Sequence, residues 1–177
     1  MKVKLRDLCV AAVCLCACMV LPFLTGQIPQ IGAALSPMHI PVLLAGFLCG
    51  WPYATAVGLL APTLRFFLFG MPPLMPTGLA MTLELAVYGL SASLLHRALP
   101  RNAACFYIAL IVSMLAGRVA WGAARLALAG LNNGVFTFAD FLAGAFVSAV
   151  PGIVCHLLVI PPLAMALERA LKHGARA

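Results

Sequence analysis

Every Lys and Arg outside the long apolar stretches of this chain falls in one of three clusters: Lys2, Lys4 and Arg6 at the start, Arg97 and Arg101 in the middle, and Arg169, Lys172 and Arg176 at the end. Cytoplasmic loops of membrane proteins carry the excess of Lys and Arg, so all three clusters belong on one side of a bilayer. An even number of crossings then separates each cluster from the next. This predicts an all-α integral membrane protein with six transmembrane helices and both termini cytoplasmic, forming a single domain over residues 1–177. The chain is 64% hydrophobic and 8% charged, whereas soluble domains are about a quarter charged. Eight of the eleven cations lie in the clusters, with no basic patch interleaved with aromatics. The net charge of +7 therefore reads as topology with a secondary affinity for anionic lipid, and not as nucleic-acid binding.

A crossing needs ~20 apolar residues, and the expected spans run from Asp7 to Leu24, His39 to Gly50, Ala54 to Gly70, Thr77 to Leu95, Ala103 to Ala129 and Phe138 to Leu167. The second is short and carries Pro41, so tilting, breaking or cover by other helices is expected. Lys2 to Arg6 followed by an apolar run resembles a secretory signal, and Leu15-Cys16-Ala17-Cys18 resembles a lipoprotein cleavage box. Cleavage there would break the charge pattern, so the first span is expected to be retained. Cys14, Cys16 and Cys18 point to different helix faces and the other cysteines lie in apolar runs, so no metal site is expected. The three exterior loops contain no Lys, Arg, Asp or Glu, which suits closure over a small ligand. No Gly-rich phosphate-binding loop is present, so energy for uphill movement must come from another chain.

Four charges lie inside the spans away from their first turns: Arg65, Glu84, Arg118 and Arg125. Each costs at least ~2.5–3.5 kcal/mol near the bilayer centre, so such residues face a cavity or a partner. Arg118, Trp121 and Arg125 share one helix face. At 1.5 Å per residue, Arg125 lies ~7 Å and Arg118 ~18 Å below the exterior end of their span, with Glu84 ~12 Å and Arg65 ~8 Å deep. Two readings follow. Either the four surround an outward-opening pocket whose excess of cation favours a carboxylate or other anion, or Glu84 and Arg118 form a structural ion pair while Arg65 and Arg125 snorkel to the surface.

His39 either caps its helix or touches ligand, and Gln27, Gln30, Asn132 and Asn133 either close on a polar ligand or serve ordinary turns. His156 reads as a packing or hydrogen-bonded residue, and Asp140 as a complement to a helix dipole. No serine has a motif-level His or Asp neighbour, so no catalytic residue is expected and the protein is not read as an enzyme. Gly46 and Gly50, and Ala12 and Cys16, are small-residue pairs suited to helix contacts.

The strings Leu21-Pro22-Phe23-Leu24-Thr25-Gly26-Gln27-Ile28-Pro29-Gln30-Ile31-Gly32, Ser36-Pro37-Met38-His39-Ile40-Pro41-Val42-Leu43-Leu44 and Phe69-Gly70-Met71-Pro72-Pro73 resemble the S component of an energy-coupling-factor (ECF) vitamin transporter. So do Glu84-Leu85-Ala86-Val87-Tyr88-Gly89 and Gly117-Arg118-Val119-Ala120-Trp121-Gly122. The resemblance implies a six-helix bundle in a prokaryotic plasma membrane that binds a water-soluble vitamin at its exterior side. It also implies partners, namely a transmembrane coupling (T) subunit and two cytosolic ATPases. ATP would be used by those partners alone, no cofactor would be held covalently, and transport would involve toppling of the S subunit. The family's first span shows an Ala-xxx-Ala contact with the coupling subunit, for which Ala12 and Cys16 are the nearest match.

Because the candidate residues are rich in Arg, a carboxylated vitamin such as pantothenate is favoured, with cobalamin next and a neutral pyrimidine or pyridoxine-like compound a further option. Two other classes compete. A stand-alone channel or facilitator predicts a continuous polar path, yet the cytoplasmic halves of the spans offer only His156 and a few serines. A structural assembly subunit has no need of buried Arg on consecutive turns.

Overall fold

A computed structural model describes residues 5–25, 34–100, 102–131 and 135–174, and all of its regular structure there is helical. Helix α1 (Leu5–Val20) runs on through a tighter turn, Leu21–Thr25. It is followed by α2 (His39–Leu48), α3 (Trp51–Phe69), α4 (Leu79–Ala98), α5 (Ala103–Leu131), α6 (Phe138–Leu142) and α7 (Val150–Gly174).

The boundaries follow local chemistry. Gly50 is extended and Pro52 occupies the first turn of α3, where a missing N–H costs nothing. Gly70 ends that helix with φ 70°, a left-handed conformation suited to glycine. Leu99 is extended ahead of Pro100, which stops α4. The Asn102 side chain accepts the Cys105 amide at 2.8 Å and so caps α5. Thr137 and Asp140 form a reciprocal capping box at the start of α6, placing the carboxylate at the positive end of the helix.

Five stretches among the described residues are long and apolar enough to cross a membrane: Leu5–Leu24, Trp51–Phe69, Leu74–Ala98, Ala103–Leu131 and Val150–Leu171. The expected second span is not among them, and it is short and covered by other helices as its sequence suggests. At 10 residues α2 is short, since this length reaches only ~15 Å of a hydrocarbon core ~30 Å thick. Its surroundings explain how it is accommodated: His39 and every residue from Pro41 to Phe47 are buried, against α1, α3, α4 and α7. The helix is therefore solvated by protein more than by lipid. The expected sixth span is also divided, with α6 and the wide turn Ala143–Val147 separated from α7 by Ser148 and Ala149.

Close backbone approach holds the centre together. A Cβ on Gly58 would strike the backbone of Leu85, and one on Gly89 would strike that of Ala54, so α3 and α4 meet through glycine on both sides. Gly46 faces the Ala92 methyl on α4, so this half of the Gly46/Gly50 pair serves a contact within the chain.

Three charge-bearing ends converge at one end of the bundle. Asp7 at the start of α1 is buried, pairs with Arg6 at 3.0 Å and accepts the Gly50 amide at 3.1 Å. Arg97 lies beside the same Gly50. Glu168 on α7 reaches His96, the neighbour of Arg97, at 3.8 Å. Arg6, Arg97 and Glu168, the neighbour of Arg169, thus lie toward one end of the bundle.

Candidate functional site

Glu84 on α4 is the centre of a buried polar cluster. Its Oε1 accepts the Tyr88 hydroxyl at 2.8 Å and lies 3.0 Å from Arg118 Nη1 on α5. Tyr88 follows Glu84 by one helical turn, the spacing at which side chains meet, and Gly117 makes room for its ring, where a Cβ would collide with it. His39, the first residue of α2, brings Nε2 to 3.6 Å from the same carboxylate oxygen, beyond hydrogen-bond reach but within ion-pair range for a protonated ring. His156 on α7 stacks on His39 with ring centroids 5.8 Å apart and lies 3.4 Å from the Ser36 carbonyl through Nε2. Glu84, Tyr88, His39 and His156 are each no more than 3% exposed, and Arg118 is 8% exposed.

Of the two sequence readings for Glu84 and Arg118, the geometry shows the pair. A buried pair of this kind gains from its extra hydrogen bonds, which offset part of the desolvation of both charges. His156, read from the sequence as a packing or hydrogen-bonded residue, joins the cluster through His39. Tyr88 was not singled out at all, and its only sequence signal was the four-residue spacing from Glu84.

Arg125 lies two turns further along α5, toward the end that carries α6. Its guanidinium carbon sits 5.9 Å from the Trp121 ring and 5.6 Å from the Phe136 ring, both within cation–π range. No carboxylate forms an ion pair with it among the described residues, and its Nε is buried without a hydrogen-bond partner. Asp140 is engaged in the cap with Thr137, accepting its amide at 2.9 Å and its hydroxyl at 2.7 Å. Trp121 in turn packs beside Gly144, whose missing side chain leaves room for the indole edge, and beside Phe141. Phe136 also escaped the sequence reading, since it belongs to the connection before α6.

Arg65 does not join either group. Its Nη1 donates to the Met19 carbonyl at 2.6 Å, and the guanidinium lies 5.2 Å from Phe23 and 5.1 Å from Phe69. It is buried at 3% exposure, so it ties α3 to the end of α1 and does not snorkel. Gln27, Gln30, Asn132 and Asn133 lie outside the described residues. Ala12 and Cys16 are exposed on the outer face of α1. Among the described residues, no group of three His, Cys, Asp or Glu is placed to hold a metal ion.

A family model described as "ECF transporter, substrate-specific component" matches residues 6–166. The chain belongs to that family. No curated protein and no solved structure matches it. As an ECF S component, the protein is a substrate-binding subunit of a membrane importer and not an enzyme, and S components work in association with T and ATPase subunits. The match spans every element that builds the two groups of residues above, from α1 through most of α7.

Proposed function

We propose that this S component captures a water-soluble vitamin bearing a carboxylate, pantothenate-like in chemistry, and that Arg125 is the residue that takes the acid. The observation that carries the reading is the contrast in charge pairing. Arg118 is compensated by Glu84, and Arg65 is bonded to a carbonyl and enclosed by rings. Arg125 has a buried donor without a partner, aromatic walls on which a ligand can rest and, unlike Arg118, no carboxylate in ion-pair range among the described residues. A guanidinium offers paired N–H donors that match a carboxylate, and such charge-assisted bonds are roughly twice as strong as neutral ones. Trp121 and Phe136 limit water at the contact, which strengthens it.

In this reading the site faces the cell exterior, the charge clusters face the cytoplasm, and the protein sits in a prokaryotic plasma membrane. The coupling subunit docks on the outer face of α1 at Ala12 and Cys16, whose small side chains permit close helix approach. ATP is hydrolysed only by the two cytosolic partner subunits, and this chain holds no covalent cofactor.

Calorimetry on the purified protein in nanodiscs tests the reading, with pantothenate and its primary-alcohol analogue as probes. The acid is expected to bind at least tenfold more tightly than the alcohol, with the difference lost in Arg125→Gln. Equal affinity for acid and alcohol would refute the assignment of Arg125.

A further inference from the structure

Four nitrogen atoms in the inner cluster are buried without a hydrogen-bond partner: Nδ1 and Nε2 of His39, Nδ1 of His156 and Nε of Arg118. They come from three helices, α2, α7 and α5, and their side chains touch one another or the Glu84–Tyr88 pair. Buried polar atoms of native proteins are paired in the great majority of cases, so an orphan set of this size calls for a partner, either bound water or a ligand group.

The electrostatics of the cluster define that occupant. Glu84 and Arg118 already compensate each other, so an ionised group would bring an uncompensated charge into a desolvated site. An uncharged group adds none. A neutral imidazole presents one donor and one acceptor nitrogen, and Arg Nε is a donor, so the complement is a group that both donates and accepts. Hydroxyl and amide groups meet that requirement.

Distance connects this place with the outer arginine. Arg118 and Arg125 are seven residues apart on one helix, a rise of ~10.5 Å. Pantothenate has eight covalent bonds between its carboxyl carbon and terminal hydroxyl oxygen, and an extended chain covers ~3.8 Å per three bonds, so it reaches ~10 Å.

We propose that His39, His156 and Arg118 Nε form an inner subsite for an uncharged hydroxyl or amide, carried on the same substrate ~10 Å from the carboxylate held by Arg125. This rests on the Arg125 reading, which supplies the other end of the ligand. The subsite acts in specificity: it selects hydroxylated or amidated acids over plain fatty acids of equal length, whose apolar tails would leave the four nitrogens unpaired.

A cycle between ligand and protein tests it, using the full chain in nanodiscs. The probes are pantothenate, its analogue lacking both hydroxyls, and its primary-alcohol analogue in place of the acid. Removing the hydroxyls is expected to weaken binding to the unaltered protein roughly tenfold, and to weaken binding to His39→Leu by less than twofold. His156→Gln, which retains a donor for the Ser36 carbonyl, gives the same comparison should His39→Leu fail to fold. The change from acid to alcohol should cost all of these proteins equally.

A loss below twofold in the unaltered protein would overturn the proposal and assign the orphan nitrogens to bound water. Retention of the full hydroxyl effect in both histidine variants would also overturn it. If the acid and alcohol bind alike, the Arg125 reading fails separately, whatever the hydroxyl effect. Absence of binding by every probe contradicts both.

Discussion

Two turns apart on α5, Arg118 is bonded to Glu84 at 3.0 Å among two histidines and a tyrosine, whereas Arg125 has two aromatic rings and no carboxylate in ion-pair range among the described residues. The residue type, the helix and the helix face are the same. What differs is contact with an opposite charge: Glu84 touches Arg118, whereas Asp140, whose carboxylate feels the charge of Arg125, is held in the cap with Thr137 and forms no ion pair with it. The charge of Arg118 is met by Glu84, which leaves its Nε for an uncharged group, whereas the guanidinium of Arg125 is available to an anionic one. The inner region is also enclosed by α2, α4, α5 and α7 together, while the outer region draws on α5, Phe136 and the α6 segment.

That comparison can be broken most forcefully at Glu84. Glu84→Leu leaves Arg118 charged and desolvated, and removal of one member of a buried pair costs about 3–5 kcal/mol. Chemical unfolding in detergent should register the loss, and adding Arg118→Leu to the same chain should restore most of it. A cost below about 1 kcal/mol would mean that the pair is solvated and that the two arginines do not differ in kind.

At Arg125 the readout changes from stability to binding. Arg125→Gln should weaken affinity for the carboxylated probe by about 1.5–3 kcal/mol, the range for hydrogen bonds to charged groups, while its unfolding midpoint moves less than that of Glu84→Leu. A stability loss without an affinity loss would assign Arg125 to the scaffold.

Arg65 offers a third contrast, since a backbone carbonyl and two rings take the place of the carboxylate. Arg65→Met should lower stability by about 1–2 kcal/mol through the lost charged hydrogen bond, with ligand affinity within twofold by calorimetry. A tenfold affinity loss would move Arg65 into the site. The smallest effect is expected at Trp121→Leu, where loss of the cation–π contact should cost about 0.5–1 kcal/mol of binding, seen as a few-fold rise in Kd. An unchanged Kd would leave the aromatic wall to Phe136.

The sequence carries the helical membrane class plainly, because apolar length and charge clustering are properties of the chain itself. It also carries the shared face of Arg118, Trp121 and Arg125, since a three- and seven-residue spacing fixes relative direction on a helix. The short α2 is marked by Pro41 and by the turn at Gly50, Trp51 and Pro52, but hydropathy, which runs through that turn, does not say which neighbours bury the segment. The divided last span is hidden for the same reason, with Ser148 and Ala149 too apolar as a pair to interrupt the profile.

Contacts across the bundle are further from reach. Arg65 bonds to a carbonyl 46 residues away, and His156 lies 120 residues from the Ser36 carbonyl it faces. No local pattern encodes either pairing. Asp7 is a similar case: on paper it opens a span, whereas in the structure it accepts the Gly50 amide and joins α1 to the turn before α3. Whether Glu84 and Arg118 pair depends on tertiary distance, and the 3.0 Å contact shows that they do.

The most direct measurement is the identity of the small molecule released when the purified protein is denatured, read by mass spectrometry. The account predicts a vitamin present in near-stoichiometric amount, with an ionised carboxylate at one end and an uncharged hydroxyl or amide toward the other. A stoichiometric ligand without an acidic group, whether cationic or neutral, would contradict the role assigned to Arg125.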